Sequence, residues 1–427
     1  MGIRRLRVLF ALLAAVLAAT VLSACGSGSS NGAVTIRFVW WGNEDRAKAT
    51  QAAIALFEKQ NPTITVQTEY SGYDAYFQKL ATQVAGGASP DLMQLDRDSI
   101  EEYQQKGVLV NLDQYTGSGA LHTSQIASQL LEGGKVNGNL YAVPAGQTTL
   151  MLVYDPAVWA RAGVTAPATG WTWAQFNTAM RQVGAQSGTA GVTDYGWAIN
   201  WFEVWLAQHG KKLYTSDGKL GFTQQDLVDF WTLTSTTRQG RGASTPEQTT
   251  QQDGSAAKSA LVARQTSAEI NYDSNLTGYL SAYGANLQAM PLPTDDGAIS
   301  GLSAMPPVTF AVSQRSKHVD ATVKLLDFLT NNVDAGKILG TTRGLPASQR
   351  IRQQVCASAT AGDKAVCAYE TAVGPKLEPS FGNWPNGAAA IKTDFQNVYD
   401  DVIFGRSSVP AAAARVISDA QQSLSNQ

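Results

Sequence analysis

Aromatic rings and multivalent hydrogen-bonding groups recur side by side along this chain. Trp40 and Trp41 precede Asn43, Glu44 and Asp45; Tyr73 precedes the cluster Asp96, Arg97 and Asp98; Asn271, Tyr272 and Asp273 are consecutive; Gln147, Trp201, Arg343 and Trp384 complete the set. Flat rings accept the apolar C–H faces of a ligand, while carboxylates, amides and a guanidinium make directional bonds to its hydroxyls. Such a set suits noncovalent recognition of a polyhydroxylated molecule. Each residue also has a structural reading. A tryptophan ending a strand commonly packs in a core, and Asp45 or Asp98 can cap a helix. Because side chains alternate along a strand, Trp40 and Trp41 face opposite ways, and Trp41 is the expected ligand platform.

Catalytic and metal-binding patterns are weak. His122, His209 and His318 are scattered without the i, i+4 spacing of a zinc helix. Asp295-Asp296 and Asp400-Asp401 are adjacent pairs, which do not create the opposed carboxylates that glycoside hydrolysis needs. Gly28 to Gly32 matches a hydrolase Gly-x-Ser-x-Gly pattern, but no strand precedes it. No phosphate-cradling loop is found. A non-enzyme without cofactor or metal is expected, and a secreted glycosidase is the alternative from another class. The net charge of −2, without a basic block, argues against nucleic acid as a partner.

At 427 residues the chain exceeds what one core usually organises, so two lobes are expected. Thr35 to Trp41 reads as a strand, and Asn43 or Asp45 can cap a helix running to about Gln60 with Ala49, Ala53, Leu56 and Phe57 on one face. Asn61-Pro62 ends that helix. Ile64 and Val66 alternate in a second strand; Tyr76, Phe77, Leu80 and Val84 stripe a second helix; Leu92 to Leu95 is a third strand delivering Asp96 to Asp98. This alternation predicts a parallel sheet covered on both faces, with ligand-meeting loops at the carboxyl ends of its strands. Leu140 to Val143 and Leu150 to Tyr154 read as two apolar strands around Pro144, Gly146 and a polar run, either a buried hairpin or a passage between lobes. Trp159, Trp171, Trp173 and Trp231 are expected in cores.

The N-terminus carries Arg4, Arg5 and Arg7 before an apolar run from Val8 to Leu22, which predicts a signal peptide over residues 1–24. That run is short for crossing ~30 Å of hydrocarbon. Gly26 to Gly32 reads as a flexible tether. Cys356 and Cys367 in an oxidising compartment most simply form a disulfide, with a reduced buried pair as the alternative.

Several short pieces fall in a familiar order: Phe57-Glu58-Lys59 with Pro62, Ala88-Ser89-Pro90-Asp91-Leu92, Gly107-Val108-Leu109 with Leu112, and Tyr141, Pro144, Gln147-Thr148 and Tyr154-Asp155. Together they resemble the extracellular solute-binding proteins of family 1, the carbohydrate-binding subunits of ABC importers. Leu22-Ser23-Ala24-Cys25 resembles a bacterial lipobox, in which Cys25 is acylated and becomes the first mature residue. The resemblance implies an α/β, two-lobed periplasmic-binding-protein-like (type II) fold with discontinuous lobes and a central cleft. The first lobe would hold 33–143 plus 308–342 and the second 144–307 plus 343–427, with Arg343 to Pro346 as the last crossing.

By the same resemblance, the chain is a monomer anchored by lipid to the extracytoplasmic face of the cell membrane, capturing a sugar or oligosaccharide for ABC-transporter permease subunits. A polyol or glycerol-phosphate diester is the alternative ligand, for which only Arg97 and Arg343 hint at the needed charge. Two departures from the family pattern stand out. The Gly and then Trp common just after the strand that ends in Asn271-Tyr272-Asp273 are absent, with Tyr272 as the substitute, and Met305-Pro306-Pro307 departs from a Gly-rich run containing Trp.

Overall fold

Alternating burial along β1 (Val34–Trp41) sends Phe38 and Trp40 to one side of a sheet and Val39 and Trp41 to the other. The computed structural model describes residues 33–167, 170–284, 286–358 and 360–425. After β1, Asn43 Oδ1 accepts from the Arg46 amide at 2.9 Å, so Asn43 rather than Asp45 caps α1 (Glu44–Gln60). Ala47, Thr50, Ala53, Ile54 and Phe57 form the buried face of α1 at three- and four-residue spacing. β2 (Ile64–Ser71) then runs parallel to β1, with Val34 opposite Ile64 and Trp41 opposite Ser71. α2 (Tyr73–Ala85) stops at Gly86-Gly87, where Gly87 takes φ 77°, and β3 (Leu92–Leu95) joins the other edge of β1, again parallel.

A short antiparallel pair joins Lys135–Val136 to Asn139–Leu140, and further strands are β4 (Ala142–Pro144), β5 (Gly146–Gln147), β6 (Leu150–Tyr154), β7 (Ala268–Tyr272), β8 (Gln288–Met290), β9 (Thr309–Val312) and β10 (Leu345–Pro346). The first sheet has the order β2-β1-β3-β9-β4, and β9 is antiparallel to both its neighbours. The parallel pairing expected for β1 to β3 holds for those three strands, while β9 makes the sheet as a whole mixed. β9 arrives from the other lobe instead of over a covering helix, and only the helix-covered crossover forces parallel pairing.

β6 belongs to a second sheet, ordered β8-β6-β7 and wholly antiparallel. β4 and β6 thus sit in different sheets, and the segment between them is a crossing instead of a hairpin. β5 within it pairs with β10, Gly146 opposite Pro346 and Gln147 opposite Leu345. Two glycines permit this approach. A Cβ on Gly146 would stand 2.0 Å from the Arg343 carbonyl oxygen, and one on Gly344, itself at φ +82°, 2.3 Å from that of Gln147.

Each sheet organises its own core. Phe38, Trp40, Val143 and Phe310 pack with Phe57, Leu325, Leu326 and Leu329 on one face of the first sheet, and Val39, Met93, Leu95 and Ala311 with Tyr76, Leu80 and Tyr103 on the other. The second sheet places Leu150, Leu152 and Ile270 against a core that includes Trp159, Trp173 and Trp231, with Trp171 partly buried on it. The Trp231 indole N–H donates to the Gly196 carbonyl at 3.0 Å. Met151 and Val153 face Leu276, Tyr279, Val366 and Tyr369. Cys356 and Cys367 form a disulfide joining the helices Gln349–Ala357 and Ala361–Val373. The segments expected as signal peptide and tether, with Cys25, lie outside the described residues. Among the described residues no helix is long and apolar enough to cross a membrane.

Candidate ligand-binding cleft

Asp96, Arg97 and Asp98 follow the carboxyl end of β3, where the first lobe meets the second. Arg97 is only 5% exposed, and a terminal nitrogen donates to the Glu203 carboxylate from the second lobe. The guanidinium lies over the Trp384 ring at 4.8 Å from its centroid and 5.9 Å from that of Phe381. The Trp384 indole N–H donates to Glu203 Oε1 at 3.2 Å, and Tyr214 meets the same ring edge-on at 5.7 Å. Cation, carboxylate and indole thus form a closed triangle across the lobes.

A second set lies beside it. Lys392, on the helix Ala388–Ile403, donates to Asp98 Oδ2 at 2.6 Å and to the Tyr73 hydroxyl at 3.2 Å. The Tyr73 hydroxyl donates to Asp96, whose other oxygen accepts from Ser99 Oγ at 2.7 Å. Trp41 packs edge-on to Tyr73 at 5.6 Å. Asp98 does not cap the helix that follows; its carboxylate serves Lys392 and lies 3.9 Å from Arg97.

Burial works against the charge on Arg97, but Glu203, Tyr272 and Asp98 outweigh it and keep the guanidinium protonated. Burial pushes the Glu203 carboxyl up, while Arg97 and the Trp384 N–H pull it back. The Tyr272 hydroxyl, at the end of β7, is pushed up to about 12 by burial and feels both Arg97 and Glu203, which ties it to the same cluster. Burial disfavours the Lys392 ammonium, yet Asp98, Tyr73 and Asp96 carry it well above its ordinary value. Burial, reinforced by Asp98, raises Asp96.

Of the sequence-predicted residues, Trp41, Tyr73, Asp96, Arg97, Asp98, Tyr272 and Trp384 come together here. The others do not. Asn43 is occupied as a cap, Glu44 pairs with Lys48 at 3.0 Å on the surface, and Asp45 is exposed beside it. Trp201 is buried on the helix Ile199–Gln208, edge-on to Trp197 at 4.8 Å. Asn271 is buried and donates to the Gly254 carbonyl at 3.0 Å and the Tyr279 hydroxyl at 2.7 Å.

Asp273 accepts from Thr148 Oγ1 at 2.5 Å and the Thr149 amide at 3.2 Å, while Gln147 donates to Glu370 at 2.8 Å. These last two brace the crossing. Arg343 donates to Gln94 Oε1 at 3.0 Å on the Trp40 side of the first sheet. Trp40 itself is fully buried against Phe38, as strand alternation requires.

Sequence reasoning missed Glu203, Lys392 and Tyr214. Glu203 had a legible signal, being the one charged residue within the otherwise apolar run Trp201 to Leu206, where a charge is costly unless paired. Lys392 and Tyr214 had none, since their partners are far away in the chain.

The family described as bacterial extracellular solute-binding protein matches residues 41–335. An extracellular solute-binding protein family 1 member from Alicyclobacillus acidocaldarius is 30% identical, over 92% of this chain and 99% of that one, with a TM-score of 0.68. A periplasmic oligogalacturonide binding protein from Yersinia enterocolitica, solved with saturated digalacturonic acid, is 22% identical with the same coverage and a TM-score of 0.80. An ABC substrate-binding protein from Listeria monocytogenes, solved with cycloalternan, is 21% identical over 92% of this chain and 99% of that one, with a TM-score of 0.79. These likenesses fix the two-lobed α/β fold. The chain spans 42% of the length of the first curated relatives it matches, at 21% identity over 183 residues. With the family matched over well over half its length, the chain belongs to the bacterial extracellular solute-binding proteins.

Proposed function

We propose that this protein captures a neutral sugar or oligosaccharide between its lobes and delivers it to an ABC-type importer, as a monomeric lipoprotein anchored through Cys25 on the extracytoplasmic face of the cell membrane. The observation that carries the reading is the cross-lobe triangle of Arg97, Glu203 and Trp384, flanked by Tyr73, Asp98 and Lys392. It combines a stacking ring with donors and acceptors able to exchange protein partners for ligand hydroxyls. The lobes are taken as 33–143 plus 308–342 and 144–307 plus 343–427. Ligand bridging both favours the closed arrangement by its differential affinity, and that form is the one offered to the permease.

Charge favours a neutral ligand over a glycerol-phosphate diester. Both cations of the cluster, Arg97 and Lys392, already face carboxylates, namely Glu203, Asp98 and Asp96. An anionic ligand would have to displace those acids or be repelled by them. The galacturonide bound by the Yersinia protein is therefore not carried over to this chain; the oligosaccharide class is.

Calorimetric and thermal-shift titration with neutral mono- and oligosaccharides, beside glycerophosphodiesters, tests the reading. A cognate saccharide at a thousandfold excess over Kd should add ~4 kcal/mol of stability. Binding of the diesters alone would overturn the sugar assignment, and sugar release from oligosaccharides would reinstate a glycosidase. Lipid labelling that persists in Cys25→Ser would remove the anchor.

A further inference from the structure

The two crossings enclose a buried cation without an acid. Arg343 is 4% exposed, its Nε donates to Gln94, and its two terminal nitrogens, Nη1 and Nη2, have no hydrogen-bond partner among the described residues. It lines a cavity of about 20 Å3 together with Ala145, Phe310, Thr330, Gly340 and Gly344. The guanidinium carbon lies 5.5 Å from the centroid of the Phe310 ring, which forms one wall of that cavity.

The nearest electrostatic influence on Arg343 is another cation. Arg46 donates through Nε to the Thr342 carbonyl at 2.8 Å and through Nη1 to the Trp41 carbonyl at 3.0 Å. Among the described residues neither arginine forms an ion pair. Asp363 stands beside Gly340, but it accepts from the Thr341 amide at 3.1 Å, from Thr341 Oγ1 at 2.6 Å and from Thr360 Oγ1 at 2.7 Å. Burial, and then Arg46, push the Arg343 guanidinium well below its usual value. An isolated buried charge is among the most costly arrangements a protein interior can hold, so it calls for a counterion.

We propose that Arg343 Nη1 and Nη2 hold a single small monovalent anion of chloride size in this cavity, packed between the crossings and separate from the sugar cleft. A space of about 20 Å3 exceeds the ~10–15 Å3 that one water needs, so it takes one water or one monatomic ion. A water would complete the hydrogen bonds but leave the charge unmatched, whereas a halide does both. Because the cavity wall includes Ala145 and Gly344, one from each crossing, the anion would stiffen the point about which the lobes turn.

The test uses the mature protein without added sugar, so it stands apart from the sugar reading. Its melting temperature is compared in sodium chloride and sodium gluconate at equal ionic strength, and crystals grown in sodium bromide are measured at the bromine edge. Chloride should raise the melting temperature saturably by several degrees in the wild type and not in Arg343→Met, and an anomalous peak should lie within hydrogen-bonding distance of both terminal nitrogens. Equal melting in both salts, or water without anomalous signal at that position, overturns the proposal. If Arg343→Met does not fold, the bromide experiment on the wild type decides alone.

Discussion

Trp384 shows how one ring can belong to a core and to the contact between lobes at once. It is almost fully buried, yet its N–H and its face are committed to Glu203 and Arg97, groups of the lobe contact. Trp231 is equally buried, but its ring packs on Phe395 and Tyr399, deep in the second lobe. Trp231→Ala should therefore cost ~3 to 5 kcal/mol in denaturant unfolding, as large aromatic truncations in cores do. Trp384→Ala should cost less in the unliganded protein and weaken saccharide binding by ~1 kcal/mol or more. Unfolding of Trp384→Ala with undiminished affinity in its folded fraction would make that ring structural.

At the scale of elements, the crossing between β4 and β6 is fixed by carboxyl chemistry as well as by glycine. Burial, then the neighbouring Glu370, pushes Asp273 well above the ordinary carboxylate range. A raised folded-state value means that the stabilising, protonated form is fully present below the unfolded value of ~3.9 and is lost as pH rises through the folded value. Asp273→Asn removes that titration while keeping an acceptor for Thr148 and Thr149. Its melting temperature relative to wild type should rise steadily from about pH 4 toward neutrality, and a difference independent of pH would contradict the assignment. The disulfide braces the neighbouring helices, with its cysteines 11 residues apart. Closing a loop that short contributes ~3 kcal/mol, so Cys356→Ser with Cys367→Ser should lower stability by about that amount.

For the whole molecule, the contact between lobes is itself held by charge. Arg97–Glu203 and Lys392–Asp98 both span it, as does Asn383 donating to the Lys135 carbonyl at 2.8 Å. Removing one partner of a buried pair can cost ~3 to 5 kcal/mol when the other stays buried. Here the stranded Arg97 can regain water by opening the cleft, which limits the loss. Glu203→Gln is expected to remain folded, to show a larger radius of gyration in solution scattering, and to close again only at higher saccharide concentration. An unchanged radius with a global loss of stability would place Glu203 among the core residues instead.

Local patterns carried far into this fold. The β1 to β3 region was legible because its apolar periods switch cleanly between two and three-to-four residues, and Gly86-Gly87 and Asn61-Pro62 mark where they change. Trp41 against Trp40 followed from strand alternation, and Asp96 to Asp98 from their place after β3. The joining of Cys356 to Cys367 was legible as the simpler of two readings. Tertiary structure decided the rest, for one physical reason: charge partners and sheet neighbours are chosen across hundreds of residues. No local signal makes β9 antiparallel, sends Gln147 and Asp273 to brace a crossing, sets Arg343 beside Gln94 and Phe310, or brings Lys392 to Asp98. Those outcomes depend on how two separately built cores come to rest against each other.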